Sequence, residues 1–471
     1  MRLIDKHTKP GQPPKKRLVE NSSFPLLPLP SGIRSVNYDL NPDEFPCSWT
    51  SFAEVQAFFH TYHDRKEVKF LGLDFRNGFE HIGVGLDARR RLCLYDEGYV
   101  WVREVAPYGL RTTPGEFGNL VDATKMIMRS KFPGRLDVIN QVDDLSIAFV
   151  DPALEVEEVT GLLEELKWDL NEDKTQPLSR NPVHDGVEWD LDGCIMALPE
   201  EKRQKYYAKV VRVLNFGKDK GVPLQLTESL VGSLQYVCRI LPHHRTHLRP
   251  LYRFRTSYTS DYRDATRQLD NSQLNCLEWW RVTLLERIQS SFSLPPPLFK
   301  GVFASDASNS SIGIWVQREQ QDGSLEIPRY VKFDLSEDWR GKFEAYIGNA
   351  EAWAVETLVE TLVKMGAKDC SLRLLCDNTN VVEAWSKGWS RNALLNLSIY
   401  RINQVASAFN LHIILQYIPS LENPSDPISR NDYPMNSLPL PPHHLPFPSP
   451  GCIGGSKPFS DCTTFTASLP P

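Results

Sequence analysis

The chain has no apolar run approaching the roughly 18 residues needed to cross a bilayer. Met1 is not followed by the apolar stretch of a secretory leader. We therefore expect an intracellular protein, in cytoplasm or nucleus, with no membrane partner. Its nine cysteines are scattered and include no Cys-x-x-Cys pair, which argues against a zinc or disulfide framework and leaves reduced thiols. A basic excess is missing too. The net charge is −6, whereas domains that bind nucleic acid are often basic. No segment repeats at a fixed period. What remains is an ordinary globular composition, 41% hydrophobic and 24% charged, in 471 residues. That length exceeds what one hydrophobic core supports and suggests roughly two to four domains.

Charge is unevenly spread. Arg2, Lys6, Lys9, Lys15, Lys16 and Arg17 crowd the start, and "RILPHHRTHLRPLYRFR" carries Arg239, Arg245, Arg249, Arg253 and Arg255 with no acid. Taken alone, each run reads as a solvated face. Hydrophobic periodicity predicts a helix in "FAEVQAFFHTYH", a buried strand in "VKFLGLDF" and a helix opening at Pro114 in "PGEFGNLVDATKMIMRSKF". A further helix is predicted in "EVEEVTGLLEELKWDLN", and helical text runs from Leu198 to about Arg255. Pro295 to Pro297 read as a linker, after which strands and helices alternate afresh. From Asn431 onward the chain is Pro- and Ser-rich and is expected to be disordered.

Two places concentrate acids against the interests of folding. In "INQVDDLSIAF", Asp143 and Asp144 sit at the tip of a predicted strand–turn–strand hairpin, and Asp74 ends the strand "FLGLDF". Carboxylates so placed repel one another unless a cation lies between them, and all-oxygen ligation suits Mg²⁺ or Mn²⁺. Beyond the prolines, Asp306 in "FASDASNSSIGIW", Glu351 in "NAEAWAVETLVETL", Asp377 in "LRLLCDNTN" and Asp426 in "ENPSDPISR" form a second set. Individually, each acid could be an ordinary surface charge.

The order of the surrounding motifs narrows the reading. "KKRLVENSSFP" with "SVN", "FLGLDFRNGF", "PYGLRTTPGEF", "VDD", "LNEDKTQ", "GVEWDLDG" and "LVGSLQYVCRILPHHRTHLRPLY" follow one another, and together they resemble the successive motifs of reverse transcriptases over roughly residues 5–255. The later acids, with "CDNTNVVEAW" and "YIPSLENPSDPISR", resemble the Asp–Glu–Asp–Asp set of ribonuclease H. That succession is similar to retrotransposon polyproteins, of the DIRS-like group or a related LTR-type retroelement. The resemblance implies an α+β right-hand polymerase followed by an α/β ribonuclease-H-like domain. The expected boundaries are 1–195 for fingers and palm, with the fingers short at the N-terminus, 196–255 for the thumb, 256–298 for a connection, 299–430 for ribonuclease H and 431–471 for the tail.

The resemblance also implies roles. Asp74, Asp143 and Asp144 with the Phe75 carbonyl would hold two Mg²⁺ or Mn²⁺ ions, and Asp306, Glu351, Asp377 and Asp426 would hold another two. Lys16 and Arg17 would grip a deoxynucleoside triphosphate. Phe79 would screen out the sugar 2′-hydroxyl, Gly109 would let the backbone approach the nucleotide, and Lys174 would serve the leaving pyrophosphate. Gly232, Gln235, Tyr236, Arg239 and Arg245 would track the primer–template. This chain differs from the family pattern in having Gln141 before "VDD", Gly78 before Phe79 and Ser425 before Asp426. The implied activity is RNA-directed DNA synthesis coupled to cleavage of RNA in the hybrid, with an RNA template and a DNA primer as partners. No protease, zinc-knuckle or integrase signature is present, so an integrase or recombinase would be supplied separately. The alternatives left open are a domesticated or truncated copy that binds nucleic acid or a partner without catalysis, and a chain in which the ribonuclease H half alone works.

Overall fold

The computed structural model describes residues 2–6, 15–19, 21–46, 48–96, 98–259, 265–293, 295–335 and 347–441, with the backbone alone for 2–6, 15–19, 94, 96 and 217–219. The chain divides into two compact units, Met1–Pro199 and Glu200–Pro471. No described helix is long and apolar enough to cross a membrane.

The first unit contains, in order, β1 (Arg2–Lys6), β2 (Lys15–Val19), α1 (Phe52–Tyr62), β3 (Lys69–Asp74), α2 (Leu86–Arg89), β4 (Cys93–Asp96), β5 (Tyr99–Val102), α3 (Thr113–Lys131), β6 (Leu136–Gln141), β7 (Asp144–Phe149), α4 (Val156–Glu165), β8 (Gln176–Ser179), β9 (Val183–His184), β10 (Val187–Asp190) and β11 (Ile195–Ala197). An antiparallel sheet in the order β6-β7-β3-β8 forms its centre. The central strands β3 and β7 each bury five successive residues, as strands covered on both faces do. Strand β6 alternates buried and half-buried positions. Helices α3 and α4 close the core through Phe117, Val121, Met128, Val159 and Leu163 against Leu71, Leu73, Leu145 and Ile147. Helix α1 begins at a capping box, with Ser51 and Glu54 each serving the other's backbone N–H.

Helix α4 stops earlier than its periodicity predicts. Lys167 adopts φ 65, and the Lys167 and Trp168 amides donate back to Glu164 and Leu163, closing the last turn. Trp168 is thereby carried into the core, where it stacks on Phe75 with ring centroids 3.9 Å apart. Burying the indole wins over adding another helical turn.

The second unit opens with α5 (Glu200–Asp219), β12 (Val222–Pro223), α6 (Leu224–Ile240), α7 (Arg249–Thr256), β13 (Thr266–Arg267), α8 (Asn271–Thr283) and β14 (Gln289–Ser291). It continues with β15 (Gly301–Ala307), β16 (Ser311–Arg318), β17 (Arg329–Asp334), α9 (Ile347–Lys364), β18 (Cys370–Cys376), α10 (Thr379–Lys387), α11 (Ala393–Ala408), β19 (Leu411–Tyr417), α12 (Asp426–Ser429) and β20 (Leu438–Pro439). Its sheet runs β19-β18-β15-β16-β17-β20. Strands β15, β16 and β17 are antiparallel neighbours, while β18 and β19 lie parallel to β15. Helices α9 and α11 supply Val355, Leu358, Leu362, Ile399 and Ile402 to the core against this sheet.

Two expectations change here. The triple proline does not hang free between parts: the Ser371 amide donates to the Pro297 carbonyl at 2.8 Å, and Phe299 N–H to the Ser371 carbonyl at 2.8 Å. A proline cannot donate to a ladder but can accept, so the segment lies along β18. The Pro/Ser-rich tail is likewise placed as far as Pro441, with β20 paired to β17 and Leu440 buried. Residues 442–471, where disorder was expected, lie outside the described residues.

Replacing Phe303, fully buried in the second sheet's core, with alanine should cost about 3–5 kcal/mol through lost transfer energy and a residual cavity. A urea unfolding curve followed by circular dichroism measures it.

Candidate active sites

The register of β3 against β7 sets Asp74 opposite Asp144. Because Gln141 pairs with Asp144, the β6–β7 turn consists of Val142 and Asp143 alone. Val142 takes φ 55, a left-handed conformation that costs a β-branched residue energy and is met mostly where function requires it. The Asp143 carbonyl accepts from the Phe75 amide at 3.0 Å, which locks the turn to the end of β3. Three carboxylates thus meet at one end of a buried sheet.

Their surroundings differ. Asp74 is neutralised by the Lys174 ammonium at 2.6 Å and receives an amide donor from Asn171 at 3.0 Å. Asp144 accepts the Asp185 backbone N–H at 3.1 Å. For Asp143, burial and then the charge of Asp74 outweigh its own backbone N–H and the charge of Lys174, and push its carboxyl above the usual range. A cation placed there would remove that cost, and the Phe75 backbone follows Asp74 directly. As a trio, Asp74, Asp143 and Asp144 do not bring one oxygen each within 4.8 Å of one another.

Around this end of the sheet, the Phe79 ring packs against Tyr108 and Phe117, each at 5.3 Å between centroids. Gly78 precedes it for a steric reason, since a Cβ there would stand 2.8 Å from Cζ of the buried Phe117. Gly109 has φ 111, open to glycine alone. Its carbonyl accepts from Asn37 Nδ2 at 2.8 Å, while Asn37 Oδ1 accepts the Arg111 amide at 3.0 Å. Asn37, in "SVN", therefore clamps the loop from a distance of 72 residues. Motif spacing assigns this clamp no more than it assigns Asn171 its bond to Asp74. Lys16 and Arg17 lie on β2, and their side chains are outside what the structure describes.

On α6, Gly232, Gln235, Tyr236 and Arg239 recur at helical spacing along the less buried face. Tyr236 lies beneath two cations, Lys202 at 4.7 Å and Arg239 at 5.3 Å from its ring. Gln235 donates to the Tyr252 hydroxyl at 2.8 Å. Arg245 stands apart in the 3₁₀ turn of residues 242–248, its stem against Gly388. The basic run beyond it is not wholly available for phosphates. Arg249 donates to the Arg391 carbonyl at 2.9 Å, and Arg255 pairs with Glu228 at 3.2 Å. His247 stacks on Trp279 at 3.5 Å, and burial pushes the imidazoles of His244 and His247 down to about 4 and about 3. Those histidines are neutral packing residues.

The second acidic set is tighter. The parallel pairing of β15 and β18 aligns Ser305 with Cys376, so Asp306 and Asp377 leave adjacent strands side by side. Asp426 opens α12, and Asp306, Asp377 and Asp426 each bring one oxygen within 4.8 Å of the others. The approach of α12 depends on Gly313, which faces Asp306 across β15–β16. A Cβ on Gly313 would stand 2.7 Å from the Ser425 carbonyl and from the Ser429 amide. Ser429 donates its hydroxyl to Asp306, and Arg430 forks onto Asp426 at 2.8–3.0 Å. Ser425, buried, donates to Asn423, which in turn donates to the Ser305 carbonyl at 3.1 Å.

Glu351, on α9, is buried rather than a surface charge, and its Oε2 has no hydrogen-bond partner. Burial, then the charges of Asp306 and Asp377, push it up to about 9; burial lifts Asp306 to about 6. Glu351 comes within 4.8 Å of Asp377, which belongs also to the Asp306–Asp377–Asp426 group, and carboxylate oxygens are the donors that a hard divalent cation takes. Cys376 reaches the same group, but burial raises its thiol, which keeps it protonated and a poor ligand for such a cation.

These shifts fix the sign of a pH effect. An unfolded glutamate titrates near 4.3, so between about pH 4 and 9 the metal-free native chain holds a proton on Glu351 that the unfolded chain lacks. Stability therefore falls as pH rises through that window. In EDTA, Glu351→Gln should raise the melting temperature at about pH 8 by roughly 2 °C or more and leave it unchanged near pH 4, as read by scanning calorimetry.

No protein-family model matches the chain, and no curated protein matches it. Among solved structures it is similar to the foamy viral protease-reverse transcriptase in complex with RNA/DNA hybrid, at 15% identity and TM-score 0.43 over 82% of this chain and 47% of that one. It is similar to the dRH form of the same protein with double-stranded DNA, at 16% identity and TM-score 0.42 over 88% and 66%. The dsDNA complex gives 15% identity and TM-score 0.42 over 89% and 80%. The chain spans about half the length of the first of these.

Proposed function

We infer that the chain is an RNA-directed DNA polymerase with ribonuclease H activity. The observation that carries this reading is the gathering of two separate carboxylate clusters. Asp74, Asp143 and Asp144 meet at one end of the first sheet, and Asp306, Glu351, Asp377 and Asp426 gather on the second. Each cluster is destabilising as it stands and is explained by divalent cations that a phosphoryl-transfer site needs. In this reading residues 1–195 are fingers and palm, 196–255 thumb, 256–298 connection and 299–430 the ribonuclease H domain.

At the first site Asp74, Asp143 and the Phe75 carbonyl hold the ions, with Asp144 beside them. The bound Mg²⁺ or Mn²⁺ ions supply Lewis acidity toward the primer 3′-hydroxyl and the triphosphate. The chain's own residues do the selecting. Phe79, wedged between Tyr108 and Phe117, stands where a ribose 2′-hydroxyl would enter. The loop at Gly109, clamped by Asn37, receives the nucleotide against backbone. Lys174 neutralises Asp74 in the metal-free chain. Were Asp74 to hold a cation instead, the Lys174 ammonium would be available to the leaving pyrophosphate. Lys16 and Arg17 grip the triphosphate.

The exposed stripe of α6, with Tyr236 and Arg239, follows the primer–template, and Arg245 lies near its phosphates. At the second site Asp306, Glu351, Asp377 and Asp426 hold the ions for hydrolysis of RNA in the hybrid, with Ser429 and Arg430 orienting Asp306 and Asp426. The template, the primer and deoxynucleoside triphosphates are the partners, and the retroelement group is DIRS-like or a related LTR type.

The two activities should come apart by mutation. On a labelled RNA–DNA primer–template with Mg²⁺, Asp143→Asn/Asp144→Asn is expected to lower extension more than about a hundredfold while RNA cleavage persists. Asp306→Asn/Asp377→Asn is expected to do the reverse. A folded chain that binds the hybrid yet neither extends nor cleaves would make the binding-only copy the correct reading.

A further inference from the structure

The motifs leave one buried histidine unexplained. His184 is 0% exposed, and neither ring nitrogen has a hydrogen-bond partner among the described residues. A buried imidazole with both nitrogens orphaned costs desolvation without return. Its Nδ1 faces Asp144 Oδ2 at 3.7 Å, an ion-pair spacing longer than a hydrogen bond. The next residue donates to that same oxygen, from Asp185 N at 3.1 Å. Both groups arrive on the tip of the β9–β10 hairpin. That tip turns through Asp185 at φ 48 and Gly186 at φ 67, the two left-handed positions of an Asp-Gly turn.

The hairpin is fixed from both sides. Trp189, fully buried, donates its indole N–H to the His184 carbonyl at 3.3 Å and stacks on Phe59 at 4.7 Å. On the other side the Gln176 side chain acts as a substitute strand: its Nε2 donates to the Val183 carbonyl at 2.6 Å, and its Oε1 accepts the Val183 amide at 2.8 Å. That amide group lies over Gly72 of β3, where a Cβ would stand 2.8 Å from Nε2 and 2.9 Å from Cδ. Contacts therefore run without a break from Gly72 through Gln176 and Val183 to His184 and Asp185, and so to Asp144.

We propose that His184 is a positioning residue for Asp144, and that the β9–β10 hairpin, seated over Gly72 by Gln176, sets the orientation of that carboxylate. One carboxylate oxygen, Oδ2, is held by the hairpin tip, on a residue that stands opposite Asp74 in the strand register. Asp144 is in this view the link between the hairpin and the site, while Asp74 and Asp143 carry the ions. The inference rests on the polymerase reading of that site. A space-filling role for His184 makes a different prediction, because phenylalanine fills the same volume without a nitrogen.

The test uses the full chain with His184→Phe, His184→Asn, His184→Gln and Gly72→Ala. An asparagine amide nitrogen falls near the place of Nδ1, and a glutamine's near that of Nε2. His184→Phe and His184→Gln are expected to lower the kcat of primer extension about tenfold, the size of effect seen when a ligand loses its supporting partner. The KM for the deoxynucleotide should stay within about twofold, as for an interaction that acts on the chemical step. His184→Asn should retain most activity, Gly72→Ala should follow His184→Phe, and RNA cleavage by the same preparations should be unchanged. A second readout needs no metal: hydrogen exchange in a peptide spanning residues 183–190 should quicken in Asp144→Ala. Equal activity in all three His184 variants, equal loss in all three, or unaltered exchange in Asp144→Ala would overturn the proposal. A wild-type chain that extends no primer would instead sink the polymerase reading, and the exchange measurement would still decide whether the hairpin holds Asp144.

Discussion

Like charges brought together out of water are the constraint around which this chain is built. A carboxylate in a low-dielectric interior must be paired, hydrogen-bonded or protonated, and the fold uses all three. Asp74 takes Lys174 and Asn171, Asp426 takes Arg430, and Asp306 takes the Ser429 hydroxyl. Even so, Asp143, Asp306 and Glu351 are pushed toward the protonated form, by burial before anything else. They mark where positive charge is wanting. In a purely structural protein such positions gain nothing for stability, and apolar residues of the same size would serve better.

Closeness of this kind also needs room, and the chain provides it by omitting side-chain atoms. Gly78 makes room for the Phe117 ring beneath the Asp74–Asp143 end of the sheet, Gly313 admits α12 beside Asp306, and Gly72 admits the Gln176 amide. In each case the missing Cβ would lie 2.7–2.8 Å from a buried or hydrogen-bonded atom, closer than packed interiors tolerate. These glycines do not serve turns. They set how near the second layer can stand to the acids.

What the sequence makes legible follows from the range of each interaction. Periodicity places β3, α3 and the β6–β7 hairpin, because burial on one or both faces is a local pattern. The acids stand out because adjacent carboxylates are unfavourable on their own terms. The end of α4 is not legible: the tertiary stacking of Trp168 on Phe75 overrides a helical pattern that continues past it. The binding of the triple proline to Ser371, and of β20 to β17, is also hidden, since composition reports turn-forming residues and not what they pair with. Asn37, Asn171 and His184 act across 72, 97 and 40 residues of chain respectively, and no local pattern announces a single polar side chain that works at such a distance.

The two clusters finally differ in how completely they are formed. Asp306, Asp377 and Asp426 already bring their oxygens within 4.8 Å, because two strands of one sheet and a helix seated on Gly313 leave them no alternative. Asp74, Asp143 and Asp144 share one sheet edge yet do not close as a trio. There Lys174 occupies one carboxylate and the Asp185 amide another. Both of those partners come from segments C-terminal to the hairpin that bears Asp143, so the first site is held by contacts from the rest of its unit. Both sites are thus built on adjacent strands of a sheet and braced by segments from later in their own unit. What distinguishes the first cluster is that two of its three carboxylates already have partners, Lys174 on Asp74 and the Asp185 amide on Asp144, so the burial cost falls on Asp143.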